Sequence, residues 1–175
     1  MPNAAVPGAT HAKRLEDWIS RYSDIILRTC FVYLSDRDLA QDAMQETFFK
    51  AWRYMPQYER KQITNDKAWL LRIAVNVCHD LHRSAWHRHI DARRELSELP
   101  PQAVAAQPEE RDLMLDICAL PEKYKQVILL YYYHELTLQE TADALSTAPS
   151  TVHKRLKKAQ LLLSGRLTGR EPHHG

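Results

Sequence analysis

Apolar side chains return every three or four residues through most of the chain, and that period commits it to helices. From about Ala12 to Leu34, the residues Leu15, Ile19, Tyr22, Ile26 and Cys30 define the stripe of an amphipathic helix. Ser35 then opens S-x-x-D (Ser35 to Asp38), an N-cap signal with acids in the first turn, where the helix dipole favours them. It predicts a second helix from Asp36 to about Tyr54. Pro56 to Asp66 is polar and carries Pro56, Asn65 and Asp66 as breakers, so it reads as a loop. A third helix is expected from Lys67 to about Ser84, with Trp69, Ile73, Val77 and Leu81 on one side. With only 4 glycines and no alternating apolar runs there is little room for a sheet, and the expected fold class is all-α.

Composition changes after the third helix. Trp86 to Arg94 is rich in His and Arg, and Glu95 to Asp112 holds three prolines with Glu95, Glu98, Glu109, Glu110 and Asp112. Such a stretch buries little apolar surface and reads as a flexible acidic linker. A short helix (Leu113 to Ala119), a helix opened by Pro121 and running to about Tyr133, and two further helices follow. The organisation expected is two small helical domains, 12–92 and 113–168, joined by a linker at 93–112.

The last two helices carry the most specific pattern. Thr137-Leu138-Gln139-Glu140 is a capping box, in which the Thr hydroxyl and the Glu carboxylate each satisfy a backbone N–H. Leu138, Ala142 and Leu145 point inward from the short helix it starts. After the turn Ser146-Thr147-Ala148, Pro149 starts a longer helix. Its face Val152, Leu156, Ala159 and Leu163 is apolar, and its opposite face carries His153, Lys154, Lys157 and Lys158. A short helix, a tight turn and a longer helix with a basic front is the helix-turn-helix arrangement. From Ser146 to Arg170 there are six cations (Lys154, Arg155, Lys157, Lys158, Arg166 and Arg170) and no acid. On the second helix of such a unit, long donors reach base edges while flanking cations meet phosphates.

The whole chain hides this. Its 175 residues hold 24 Lys+Arg against 22 Asp+Glu, a formal charge of +2, with 45 % hydrophobic and 26 % charged residues. Those values exclude a disordered chain, a collagen-like fibre and a disulfide scaffold. Met1 to Thr10 lacks the pattern of a secretory signal, and the longest apolar run, Val127 to Tyr133, falls far short of the roughly 20 residues a membrane span needs. Cys30, Cys78 and Cys118 are odd in number, widely spaced and without a CxxC pair, which reads as reduced thiols in the cytoplasm.

Two motifs in this order resemble the extracytoplasmic-function sigma factors of bacterial RNA polymerase, and the resemblance covers about Leu15 to Leu167 apart from the linker. The first motif is Asp38-Leu-Ala-Gln-Asp42-Ala-Met-Gln45-Glu46-Thr-Phe48-Phe-Lys-Ala-Trp52, followed by Trp69-Leu-Leu-Arg72-Ile-Ala-Val-Asn76. The second is Leu120-Pro121-Glu-Lys-Tyr-Lys, then Leu138-Gln-Glu140-Thr-Ala142 and Ser150-Thr151-Val152-His-Lys-Arg155-Leu.

The resemblance implies roles. Asp42, Gln45 and Glu46 would dock on the clamp helices of the polymerase's largest subunit; between Asp36 and Lys50 there are four acids and two bases, and polar groups at i, i+3 and i+4 lie together. Phe48 and Trp52 are expected in the core. The third helix, with Arg72, Asn76, His79 and Arg83 on one face, would read and open the minus-ten element. Tyr58 and Asn65 in the preceding loop would take a flipped base, and Arg88, Arg93 and Arg94 would add phosphate contacts. Thr151, His153, Lys154, Lys157 and Lys158 would face the groove of the minus-thirty-five element, with Arg155 nearer the backbone. The partners implied are core RNA polymerase, promoter DNA and an anti-sigma factor, soluble or membrane-bound. The alternative is a helix-turn-helix regulator that binds an operator without core polymerase.

Some positions depart from the family pattern. Ala148 stands where a hydroxyl or carboxyl cap is usual, a loss of about 1 kcal/mol that Pro149 partly offsets. Val75 replaces a commonly basic position, and His82 and Ser84 thin an Arg-rich run. Cys78, His79, His82, His87 and His89 raise a metal-binding alternative, since Cys78 and His82 are one turn apart and His87-x-His89 could complete a set. No tetrahedral Cys/His spacing of known type is present, so no cofactor is expected. Without a Gly-rich phosphate loop, HExxH or a nucleophile elbow, the chain is not expected to be an enzyme.

Overall fold

The computed structural model describes residues 7–84 and 108–168. The middle of the expected linker, together with His87, His89, Arg88, Arg93 and Arg94, lies outside the described residues. Among the described residues every regular element is helical. They are α1 (Pro7–Leu34), α2 (Arg37–Arg60), α3 (Asp66–Ser84), α4 (Pro108–Cys118), α5 (Glu122–Val127), a π-helical continuation of α5 (Ile128–Tyr133), α6 (Leu138–Ala144) and α7 (Pro149–Thr168).

The first three helices form an antiparallel bundle. Ala40, Ala43 and Ala51 on α2 are fully buried, and their small side chains let it lie close against α1 and α3. Ile26, Phe31, Leu70, Leu71 and Val77 fill the space between. The α1 stripe is one position away from the expected one near its start: Ile19 is 41 % exposed and Trp18 is buried instead. The Trp18 indole Nε1 donates to Asp66 Oδ2 at 3.0 Å, so burial of the large ring leaves its N–H satisfied.

The cap of α2 is Asp36, not Ser35: Leu39 N donates to Asp36 Oδ1 at 2.9 Å. Ser35 terminates α1 instead, in the left-handed region at φ 52°. Gln62, Glu135 and Ser146 take similar conformations at φ 51°, 57° and 51°, each just past a helix end. In a chain with four glycines, ordinary residues fill positions that glycine would take at lower cost.

In the second domain α4 starts at Pro108, five residues before the expected Leu113. Its helix-turn-helix is as predicted: α6 is capped by Thr137 and Glu140, and α7 buries Val152, Leu156 and Ala159. The π-helical turn has no counterpart in the sequence reading. Its last bond runs from His134 N to Leu129 O at 3.0 Å, and it turns Ile128, Leu129 and Leu130 all inward.

Candidate nucleic-acid and polymerase interfaces

Four side chains of α2 share one outward face. Asp42, Gln45 and Glu46 are exposed, as their spacing predicts, while Ala43, Thr47 and Phe48 on the other side are buried. The face continues into Phe49, 55 % exposed, with the Arg53 guanidinium 5.9 Å from its ring centroid. Asp42, Glu46 and Lys50 also line a shallow groove with Val77, Asp80 and Leu81 of α3. The sequence reading missed Phe49 and Asp80, although Phe49 continues the i, i+3, i+4, i+7 series. Of the two residues expected in the core, Phe48 is there, whereas Trp52 is 39 % exposed and meets the His11 ring edge-on.

Tyr58 is not a loop residue. Helix α2 runs through Pro56 to Arg60, because Pro56 forfeits one hydrogen bond near the end of the helix while the aromatic packing beyond it is retained. The Tyr58 ring lies 5.1 Å from Trp18 and 4.8 Å from Trp69 between centroids, with the Arg14 guanidinium over its face at 5.5 Å. Its hydroxyl donates to Asp66, and burial followed by that bond pushes its pKa up to about 12. A side chain so enclosed is part of the packing, not a pocket for a flipped base.

Asn65 does lie in the short connection before α3, and it is exposed. Its Oδ1 accepts from Ala68 N at 3.0 Å, which caps α3. Along α3, Arg72, Asn76, His79 and Arg83 are exposed on one face, opposite the buried Ile73 and Val77. Arg72 lines a cleft with Ile63, Asn65, Trp69 and, from α6, Glu140 and Asp143. His79 Nδ1 is 3.5 Å and His82 Nδ1 3.6 Å from the two carboxylate oxygens of Glu122. Cys78 is buried beside Cys30, and that burial pushes its thiol well up, so it does not join His79 and His82 at the surface. Among the described residues no group of three or more His, Cys, Asp or Glu is placed to hold a metal ion.

On α7, His153, Lys154, Lys157 and Lys158 are exposed, while Thr151 and Arg155 are half-buried at its edge. Arg166 is exposed, and its guanidinium donates to Ala119 O at 3.3 Å just past the end of α4. Glu140 N donates to Thr137 Oγ1 at 3.1 Å and Thr137 N to Glu140 Oε2 at 2.9 Å, which closes the capping box at the start of α6. The Thr137 backbone bond, joined by those from Asn65 and the Thr137 hydroxyl, holds the Glu140 carboxyl below the usual range.

A helical domain with an exposed acidic face on α2, paired with a helix-turn-helix whose second helix presents lysines, has the arrangement of a DNA-binding protein. Comparison with known families is consistent with this class. The family model for Sigma-70 region 2 matches residues 18–88, and that for Sigma-70, region 4 matches residues 111–161. Together they take in well over half of the chain, and the chain belongs to the sigma-70 family, in its extracytoplasmic-function group.

The "ECF RNA polymerase sigma factor SigW" of Bacillus subtilis is 29 % identical over 167 residues, covering 86 % of this chain and 87 % of the relative. The "Probable RNA polymerase sigma factor RfaY" of Xanthomonas campestris pv. campestris is 32 % identical over 147 residues. That match covers 77 % of this chain, which spans only 36 % of the longer relative. The fold is similar to that of the sigma factor RpoE of Bartonella quintana, solved with the anti-sigma factor NepR. The TM-score is 0.69 at 21 % identity, covering 91 % of this chain and 99 % of that one. Among the described residues no helix is long and apolar enough to cross a membrane.

Proposed function

We propose that this chain is a cytoplasmic initiation factor that binds core RNA polymerase through Asp42, Gln45 and Glu46 of α2, with Phe49 as the apolar part of the same face. In this reading α3 engages the minus-ten element through Arg72, Asn76, His79 and Arg83, aided by Asn65, and α7 reads the minus-thirty-five element. Lys154, Lys157 and Lys158 reach the groove, His153 and Thr151 flank them, and Arg155 supports the backbone contact. An anti-sigma factor controls the chain by covering these faces. The polymerase supplies the chemistry and the chain contributes binding and strand opening. Functional boundaries follow at 12–92 and 113–168, with the second domain's first helix reaching back to Pro108.

The single observation that carries the reading is the separation of charge. One exposed helical face is acidic, and a recognition helix on a capped helix-turn-helix is cationic. An operator binder needs the second face and has no use for the first. The test is equilibrium binding to promoter-length duplexes selected from a random pool, with and without core polymerase. Promoter-specific binding is expected only when core is present. Equally specific binding by the chain alone would favour an operator-binding regulator.

A further inference from the structure

The outer face of α2 carries a pattern that is the same when the helix is read backwards. Gln45, Phe49, Trp52 and Pro56 are all exposed and follow at steps of four, three and four residues, the spacing of a coiled-coil seam. The steps are symmetric about the bond between Lys50 and Ala51. Against an antiparallel second copy, Phe49 therefore comes opposite Trp52, and Gln45 opposite Pro56. Phe49 is 55 % and Trp52 39 % exposed, while Thr47, Ala51 and Met55 on the other side of the helix are buried.

The charges beside the seam obey the same symmetry. Glu46 and Arg53 are exposed on one flank, seven residues apart, at the positions whose charges pair between the helices of a coiled coil. The Arg53 guanidinium lies 5.9 Å from the Phe49 ring centroid, beside the seam. In the antiparallel arrangement Glu46 of each copy meets Arg53 of the other, and Asp42 comes to the end that bears Arg60. In a parallel one acids lie beside acids and arginines beside arginines. Glu59, at the same end as Arg60, is engaged within its own chain: its Oε2 is 3.0 Å from His11 Nε2, and Arg14 Nη1 donates to its Oε1 at 2.8 Å. The His11 ring also stands edge-on to Trp52, with 6.3 Å between centroids. The indole thus has its support before a partner arrives, and an aromatic side chain already in place loses little entropy when it is covered.

We infer that this face of α2 is self-complementary and that the free chain pairs with a second copy of itself, α2 against α2, antiparallel about a twofold axis beside Lys50 and Ala51. Twofold pairing of one patch with itself is the commonest form of self-association. From Asp42 to Arg60 the face runs about 27 Å over about five turns, a single helix-on-helix contact. That is small for an obligate dimer, so the pair exchanges with monomer and its dissociation constant falls in the micromolar range. Pairing covers Asp42, Gln45, Glu46 and Phe49, the residues assigned above to core polymerase. In that reading a second copy and polymerase compete for one face, and only the unpaired chain is open to polymerase.

The test is a charge exchange, read by sedimentation velocity of the full chain from about 1 µM to about 100 µM. The unsubstituted chain is expected to run as a monomer at the low end and increasingly as a dimer at the high end. Glu46→Lys alone sets cation against cation at both crossings, and Arg53→Glu alone sets acid against acid. Each is expected to weaken association about tenfold or more. An equimolar mixture of the two variants restores opposite charges at both crossings and is expected to associate nearly as the unsubstituted chain does. Both positions are exposed, and far-UV circular dichroism checks that helix content is kept. An unsubstituted chain that stays monomeric throughout the range overturns the inference. Association undiminished in both single variants places the contact elsewhere and overturns it too, as does a mixture that associates no better than its components. No polymerase enters these measurements, so they bear on pairing alone. Failure of the polymerase reading shows instead as unchanged core affinity in Asp42→Lys.

Discussion

Asn65 and Glu140, 75 positions apart, are joined by a hydrogen bond of 2.8 Å between the side-chain amide and carboxylate. Each is also a helix cap: Asn65 closes the start of α3, and Glu140 completes the capping box of α6. One bond thus couples the starts of α3 and α6, which position the surfaces proposed to read the promoter. The bonds that Glu140 accepts favour its ionised carboxylate, and they hold its pKa below the usual range, so the charge persists further into acid.

Replacing Lys154 or Lys157 by Ala is expected to weaken promoter binding by about 1–3 kcal/mol if the side chain meets a base edge. A fluorescence titration against the selected promoter and a random duplex separates the two kinds of contact. Loss confined to the promoter marks base reading, whereas equal loss on both marks a phosphate contact.

On α2, Asp42→Lys reverses one charge in the middle of the acidic face without disturbing the buried Ala43 or Thr47. Affinity for core polymerase should fall about tenfold, close to 1.4 kcal/mol, with the larger change at low salt. Unchanged affinity with helix content preserved would remove Asp42 from the interface.

Tyr58→Phe should cost about 1 kcal/mol of stability through loss of the bond to Asp66, and Tyr58→Ala about 3–5 kcal/mol through the cavity left between Trp18 and Trp69. Urea denaturation measures both. Tyr58→Phe should open promoters normally once folded; a melting defect at full stability would restore Tyr58 to the DNA-contacting set.

His134 makes stability fall in acid. Burial, aided by the charges of Lys67 and Arg28, pushes its pKa down from 6.5 to about 3. Above pH 6.5 the ring is neutral whether the chain is folded or not, and stability is complete. Between 6.5 and 3 the unfolded chain binds a proton that the folded chain refuses, so stability drops as pH falls. Unfolding free energies from urea titrations at pH 7.5 and 5.5 should differ by about 1.4 kcal/mol for this group. His134→Gln should remove that part of the difference, and an equal pH dependence in the variant would contradict it.

The local signals in the sequence were the reliable ones. The Thr137–Glu140 capping box, Pro149 at the start of α7 and the exposed Asp42, Gln45 and Glu46 depend on neighbours within a turn or two, and the structure has them as read. The errors came from tertiary contacts. Pro56 resembles a helix stop until Trp18 and Trp69 are seen to pack around Tyr58 beyond it. Trp18 and Ile19 are both apolar, and it is Trp18 that packs against Tyr58 and Trp69 and reaches Asp66, all distant in sequence. The π-helical turn at Ile128–Tyr133 interrupts a run of apolar residues that carries no period of its own. The side-chain contacts between the first three helices and the later ones join residues 40 to 105 positions apart, beyond the reach of any local pattern.

The central claim is tested most directly by run-off transcription with the purified chain and sigma-free core polymerase on a selected promoter. The account predicts transcripts starting at one promoter-defined position, dependent on both the chain and the promoter. Transcription no different from core polymerase alone, with a chain that is folded and binds duplex DNA, would contradict it.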